Sequence, residues 1–201
     1  MTENVIEMLA GIKKLPEEMQ QVLKLAACIG NSFDLGTLAV ISEKSPEKVA
    51  ANLREAVSQD FVISTSSSTA YKFVHDRIQQ AAYFLIPETQ TKAIHWKIGQ
   101  LLLHTPKEAQ EDKIFEIVNQ LNQGIELSEY QQDLPSAAVR YANANAPYID
   151  QSQRDELAKL NLIAAKKAKS STAYEQAFRF LKLALYLLGI DCWQRQYKLT
   201  L

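Results

Sequence analysis

The residues with the widest chemical range in this chain are three histidines, His75, His95 and His104, two cysteines, Cys28 and Cys192, and several paired carboxylates. Histidine can act as a base, a metal ligand or a donor to an anion. Metal binding on a helix needs companions three or four residues away, and none of these histidines has one. No Cys–His or Ser–His–Asp set can be assembled from the order of residues. Neither GxxxxGK[ST] nor GxGxxG occurs, so the chain lacks a phosphate-cradling loop of either kind. Glu17/Glu18 and Glu111/Asp112 fall where helices are expected to start, and acids there offset the positive end of the helix dipole.

One histidine stands out by its setting. The stretch "YKFVHDRIQQAAYFLIPE", Tyr71 to Glu88, passes from β-type alternation to helical period at His75, with Asp76 next. In the first reading the imidazole packs at a strand end and bonds a backbone carbonyl, while Asp76 caps the following helix. In the second, an imidazole at a helix N-terminus meets a phosphate oxygen.

The elements around it follow from spacing. Val5, Met8, Leu9 and Ile12 mark an amphipathic helix that stops before Pro16. A second helix starts at Pro16, carries Val22, Leu25, Ala26 and Ile29 on one face, and ends at Gly30. A short third helix spans about Asp34 to Ser42. "SPEK" places Ser45 as N-cap and Pro46 at the first position of a fourth, with Val49, Leu53, Ala56 and Val57 inward. Two β-rich runs, Phe61 to Thr65 and Ala70 to Val74, flank a serine-rich tip. Three helices and a hairpin are the element order of a winged-helix domain.

Beyond it the period is helical throughout. Ile78, Ala81, Ala82 and Leu85 share one face, and Pro87 limits that helix. Ile94, Ile98, Leu101 and Leu102 form one further stripe, and Ile114, Ile117, Val118 and Leu121 another. Glu126 to Asp150 is irregular, with a short helix expected around Ser136 to Ala144. Leu157, Leu160, Ile163 and Ala164 mark a long helix to about Ser170. Ala177, Phe180, Leu181, Ala184 and Leu188 mark its partner, Ala173 to Leu188. Small residues at Ala165, Ala168, Ala173 and Ala177 allow a close hairpin in the manner of a helical repeat. "WQRQYKLTL" at the end reads as the start of another helix, which points to a longer native chain. The fold expected is mainly α: a winged-helix domain over 17–87, preceded by a helix over 1–16, then a TPR-like helical array over 88–201.

Composition narrows the function. A formal charge of −1 and the absence of any run near about 18 apolar residues disfavour nucleic-acid binding and membrane insertion. The fourth helix, where a winged helix reads DNA, sets Lys48 and Arg54 against Glu47, Glu55 and Asp60. A disulfide between the distant Cys28 and Cys192 is open, but their helical settings favour two buried thiols in a reducing cytoplasm. His95 and Trp96 read as helix packing, Tyr83 and Phe84 as core and interface, and Lys166, Lys167 and Lys169 as a solvated face.

"FVHDRIQQAAYFLIP", directly after a winged-helix pattern, resembles the FxHDxxxxAAY segment of the signal-transduction ATPases with numerous domains (STAND). Val74-His75-Asp76 also resembles the methionine-histidine-aspartate motif of nucleotide-binding leucine-rich-repeat receptors, with Val in the Met place. Asn4–Ser42, Lys92–Leu103, Ile114–Gly124 and Glu156–Leu188 are similar to a narrower group, the large bacterial, often cyanobacterial, proteins that join a serine/threonine-kinase-like domain, a STAND ATPase, helical repeats, a GAF domain and often a histidine kinase. The likeness weakens over Glu126 to Asp150, and the family's kinase and Walker segments are absent here. The resemblance implies that residues 1–16 end an ATPase lid. It makes His75 a sensor touching the β-phosphate of ADP in the resting state, and Asp76 the residue holding its loop. The nucleotide is then ADP or ATP with Mg, held by the parent protein and not by this segment. Expected partners are the ATPase domain of the same polypeptide, downstream sensor and kinase domains, and a peptide or protein ligand on the helical repeats. The rival readings are a winged-helix transcriptional regulator and a plain interaction scaffold. The charge balance predicts no salt-sensitive shift of duplex DNA by the isolated chain in a gel-retardation assay; a shift that weakens steeply with salt would restore the DNA-binding reading.

Overall fold

The computed structural model describes residues 3–65, 69–125 and 149–189. The expected helix at 136–144, the irregular stretch at 126–148, the serine-rich tip at 66–68, Cys192 and the helix start in "WQRQYKLTL" lie outside the described residues. The chain is mainly helical with a small three-stranded antiparallel sheet. It divides into two compact units, Met1–Thr91 and Lys92–Leu201.

The first unit contains α1 (Glu3–Lys13), α2 (Glu17–Ile29), β1 (Ser32–Asp34), α3 (Leu35–Ser42), α4 (Pro46–Ser58), β2 (Val62–Ser64), β3 (Ala70–Phe73) and α5 (Asp76–Phe84). Its helix starts follow local chemistry. Asp34 caps α3, its carboxylate accepting from the Thr37 amide at 2.7 Å. Ser45 caps α4 with Pro46 in the first turn, as its sequence indicates. Glu47 in that turn is held below the usual carboxylate range by its own backbone amide and then by Ser45.

The hairpin is part of a larger sheet than the sequence suggests. β1 pairs with β3, so the order is β1-β3-β2. Three residues are too few for a visible alternation, which is why β1 reads as a loop. Its single inward residue, Phe33, lies 5.5 Å from Phe73 and 6.2 Å from Tyr71 between ring centroids. Phe73 is fully buried, as are Leu23 of α2, Leu38 of α3, Leu53 of α4 and Val62 of β2. The inner face of α2 is Met19, Val22, Leu23, Ala26, Ala27 and Cys28, rotated from the expected one; Leu25 and Ile29 are only half-buried.

The second unit holds most of α6 (Glu88–Leu103), with α7 (Lys107–Asp112), α8 (Ile114–Gly124), α9 (Gln151–Ser170) and α10 (Tyr174–Leu188). Glu111 and Asp112 end α7 rather than start a helix, because α8 begins after Lys113. α9 opens on a reciprocal capping box between Asp150 and Gln153. It closes with the Ala173 amide on the Ala168 carbonyl and the Thr172 amide on that of Lys169. Thr172 takes the left-handed conformation, φ 60°, at a position usually filled by glycine. Ala164, Ala165 and Ala168 of α9 and Ala177 and Ala184 of α10 are buried, which suits a close hairpin. The spacing places Ile163 and Leu181 inward, but both point to solvent: Leu181 lies just beside the buried arc of α10, and Ile163 lies on the side of α9 turned away from its buried residues. Phe115 of α8 stacks on Phe180 of α10 at 6.0 Å. Lys167 is not part of a wholly solvated face; its ammonium donates to the Glu111 carbonyl and lies 5.8 Å over the Phe115 ring.

Helices α6 and α8 touch backbone to backbone through glycine. A Cβ on Gly124 would fall 2.5 Å from the Trp96 backbone nitrogen and 2.6 Å from its Cα. A Cβ on Gly99 would meet the Leu121 side chain at 2.6 Å, with the nearest backbone atom, the Leu121 nitrogen, further off at 3.1 Å. Side chains can rotate away, whereas backbone cannot. Gly124→Ala is therefore expected to cost about 3 kcal/mol and Gly99→Ala about 1 kcal/mol in urea unfolding of the chain; equal costs would show that the two contacts relax alike.

Candidate functional site

His75 is where α5 begins. The Val74 amide donates to the Phe61 carbonyl at 3.2 Å, which fixes the chain leaving β3. The His75 carbonyl then accepts from the Ile78 amide at 2.9 Å, so His75 itself is the N-cap residue and Asp76 lies in the first turn. The expectation that Asp76 caps this helix is corrected accordingly. Its carboxylate is placed to act on the helix dipole. The His75 side chain makes no capping bond. Ile78, Ala81 and Ala82 anchor α5 on its inner face, against α1 and α2, and the Gln79 amide donates to the Ala27 carbonyl at 3.2 Å. The anchoring leaves His75, Asp76 and Arg77 all exposed at the open end of the helix.

The arrangement can do limited chemistry. An imidazole above an uncovered helix N-terminus can donate to an anion, with Arg77 adding positive charge and Asp76 opposing it. Among the described residues no group of three or more His, Cys, Asp or Glu side chains is positioned to hold a metal ion. On the inner side of this unit, burial pushes the Cys28 thiol up to about 12, removing it from thiolate chemistry at neutral pH. Burial, and then proximity to Cys28, raises the Tyr83 phenol as well. Tyr83 is half-buried and Phe84 is 55% exposed.

The other two histidines have structural settings. His95 is buried, and its Nδ1 lies 2.7 Å from Gln120 Oε1 across α6 and α8. The oxygen accepts, so Nδ1 carries the proton. Asn122 and Asn161 exchange two amide hydrogen bonds at 3.0 and 3.1 Å between α8 and α9, and Asn161 also donates to the Leu157 carbonyl. Sequence periodicity did not single out Gln120 or Asn161, since polar residues on an inner face look like interruptions of the pattern. His104 is exposed, its Nδ1 bonded to the Gln100 carbonyl at 2.7 Å.

A cavity of about 400 Å³ opens in the second unit over Leu103, Leu121, Leu157 and Leu160, rimmed by Trp96, Gln100, His104, Gln110, Gln153 and Glu156. Gln110 spends its amide on the Leu103 and Thr105 carbonyls, and Gln153 is engaged at the α9 cap. His104 and Glu156 make no ion pair with each other. Such a lining suits an apolar side chain with a polar backbone more than proton transfer.

No family model matches the chain, and no solved structure matches it. Among curated proteins it is similar to hybrid signal transduction histidine kinase G of Dictyostelium discoideum, with 32% identity across 93% of this chain. The chain spans 6% of the length of that relative. Nearly all of it thus corresponds to one segment of a signal-transduction kinase. No helix among the described residues is long and apolar enough to cross a membrane.

Burial lowers the His95 pKa, with the Gln120 hydrogen bond acting in the opposite direction. The unfolded imidazole, near about 6.5, therefore takes up its proton before the folded one as pH falls. This contribution is fully present above about pH 6.5 and is lost progressively below it. Thermal melts at falling pH are expected to show a loss of stability below about pH 6.5 that is reduced in His95→Gln; an identical acid slope in the variant would remove His95 as its source.

Proposed function

We propose that the chain is a non-catalytic regulatory module of a larger cytoplasmic signalling protein with ATPase and kinase domains. The reading has two supports. Nearly the whole chain is similar to one segment of a hybrid signal transduction histidine kinase. The order α2-β1-α3-α4-β2-β3, with β1 joined to β3, resembles that of a winged helix, and the small residues buried in the α9–α10 hairpin are in keeping with a TPR-like repeat. In this reading the winged helix closes over the ATPase domain of the same polypeptide when ADP is bound and opens with ATP and Mg. The helical array then carries the change to downstream sensor or kinase domains, or binds a peptide in the cavity beside Trp96.

The observation that carries the nucleotide-sensing part is the exposure of His75 at the start of α5. A ring sealed in the core could not answer to a phosphate held by another domain. Asp76 sits beside it, so its charge limits anion affinity and favours sensing over tight binding. One charge-assisted hydrogen bond is worth about 1.5–3 kcal/mol, or roughly ten- to hundredfold in a closed/open ratio. A transcription-factor role is less well supported, because Lys48 and Arg54 share the exposed face of α4 with Glu47 and Glu55.

The test is His75→Ala in the full-length protein. Weaker ADP retention and raised basal kinase output are expected, with retention falling roughly tenfold or more. Unchanged nucleotide occupancy together with a lower melting temperature would leave His75 a packing residue and the module a scaffold.

A further inference from the structure

The cavity in the second unit is walled by two helix faces. Trp96, Gln100 and Leu103 recur along α6 at the spacing of one face, and Glu156, Leu157 and Leu160 do the same along α9. Leu121 and Leu157, both buried, make the floor, and the exposed Glu156 stands on the rim. At about 400 Å³ the space lies at the small end of ligand sites, enough for one long side chain.

Among the described residues that line it, Glu156 is the one carboxylate, and none is a lysine or arginine. Two structural reasons for an acid on a helix do not apply to Glu156. It is the sixth residue of α9, beyond the first turn in which the helix dipole acts. Lys159, one turn on, forms no ion pair with it; among the described residues Glu156 has no hydrogen-bond or ion-pair partner. The Gln100 side-chain amide is likewise unengaged among the described residues, His104 being bonded to the main-chain carbonyl instead.

These features choose an occupant. A purely apolar chain would satisfy the leucine floor, but it would take water from the rim carboxylate and return nothing. A chain with a positive end does both. Its methylenes cover the leucines while its head stays at the rim beside the carboxylate. Trp96, the ring type that attracts a cation most strongly, belongs to the same lining. Gln100 presents a donor and an acceptor together, the pair that a peptide group needs and a free amine does not.

We propose that the cavity beside Trp96 recognises a lysine or arginine side chain of a bound peptide, with Glu156 selecting its positive head. The inference rests on the reading that the helical array binds a peptide there, and not on nucleotide sensing by His75.

The indole N–H resonance of Trp96 reports on the cavity. The sequence has two tryptophans, so Trp193→Phe in the 201-residue chain identifies which indole resonance belongs to Trp96. A short glycine–serine peptide with one central lysine is expected to shift it saturably, with a millimolar dissociation constant. The same peptide with norleucine, which keeps the stem and lacks the ammonium, is expected to bind about tenfold more weakly. Glu156→Gln is expected to weaken the lysine peptide about threefold and to leave the norleucine peptide unchanged. Added salt is expected to shrink the lysine preference of the unaltered chain, a readout that needs no variant to fold. Norleucine bound as well as lysine, or a lysine preference unmoved by Glu156→Gln or by salt, overturns the inference while the peptide-binding reading stands. n-Butylamine bound as tightly as the lysine peptide overturns the peptide as occupant in favour of a free amine. No shift with either peptide at tens of millimolar overturns the inference and the peptide-binding reading together.

Discussion

Gly124 lets α8 lie directly against the backbone of α6 at Trp96, and the second unit depends on that approach. Dispersion energy falls steeply with separation, so two helices in backbone contact gain more per residue than two held apart by side chains. The approach also brings His95 to within 2.7 Å of Gln120, a bond that wider spacing would break. A buried imidazole without that partner would cost free energy, so the glycine and the polar pair reinforce one another. The other side of α8 is fixed by the Asn122–Asn161 amide pair and by Ile114 and Val118 against Ala164, Ala165 and Phe180. Two polar pairs on one helix define its rotation and its register, which apolar contacts alone leave loosely specified.

In the first unit the equivalent constraint is the short strand β1. It occupies the outer edge of β3 and inserts Phe33 between Tyr71 and Phe73. The Phe73 amide reaches the Asn31 carbonyl, and the next amide, of Val74, reaches Phe61. The chain leaving β3 is thereby held from both sides, so the direction of α5 and the place of His75 are set by the sheet rather than by the histidine itself. The exposure of the ring follows from what α5 must bury. Ile78, Ala81 and Ala82 face inward, and the first residues of the helix fall on the opposite side.

Much of this was legible in the residues. The long helices announced themselves by period, and α4 by Ser45 and Pro46. The failures share physical causes. β1 and α7, at three and six residues, are shorter than the windows over which period is measurable. Three helices end not at glycine but at Glu43, Asp60 and Thr172 in the left-handed conformation, a stop signal that residue type does not advertise. Spacing places Ile163 and Leu181 inward because it identifies an apolar face without saying what covers it. Gln120 and Asn161 do not stand out in the sequence because their burial depends on a partner 25 or 39 residues away. His75 was visible as a candidate, and Asp76 beside it, but which of them caps α5 depended on where β3 lets go.

The magnitudes also bear on how the proposed switch could work. A ligand shifts an equilibrium only by its differential affinity for the two states. Moving a closed form from one in a hundred to ninety-nine in a hundred requires about 5.5 kcal/mol. The single imidazole–phosphate bond proposed for His75 supplies about half of that at most. Either the closed and open forms are already near balance, or further contacts change with nucleotide state. The exposed surface around His75 offers Arg77 for attraction and Asp76 for repulsion, and their opposite charges nearly cancel toward an anion. Under the proposed reading the histidine therefore contributes a bias rather than a lock.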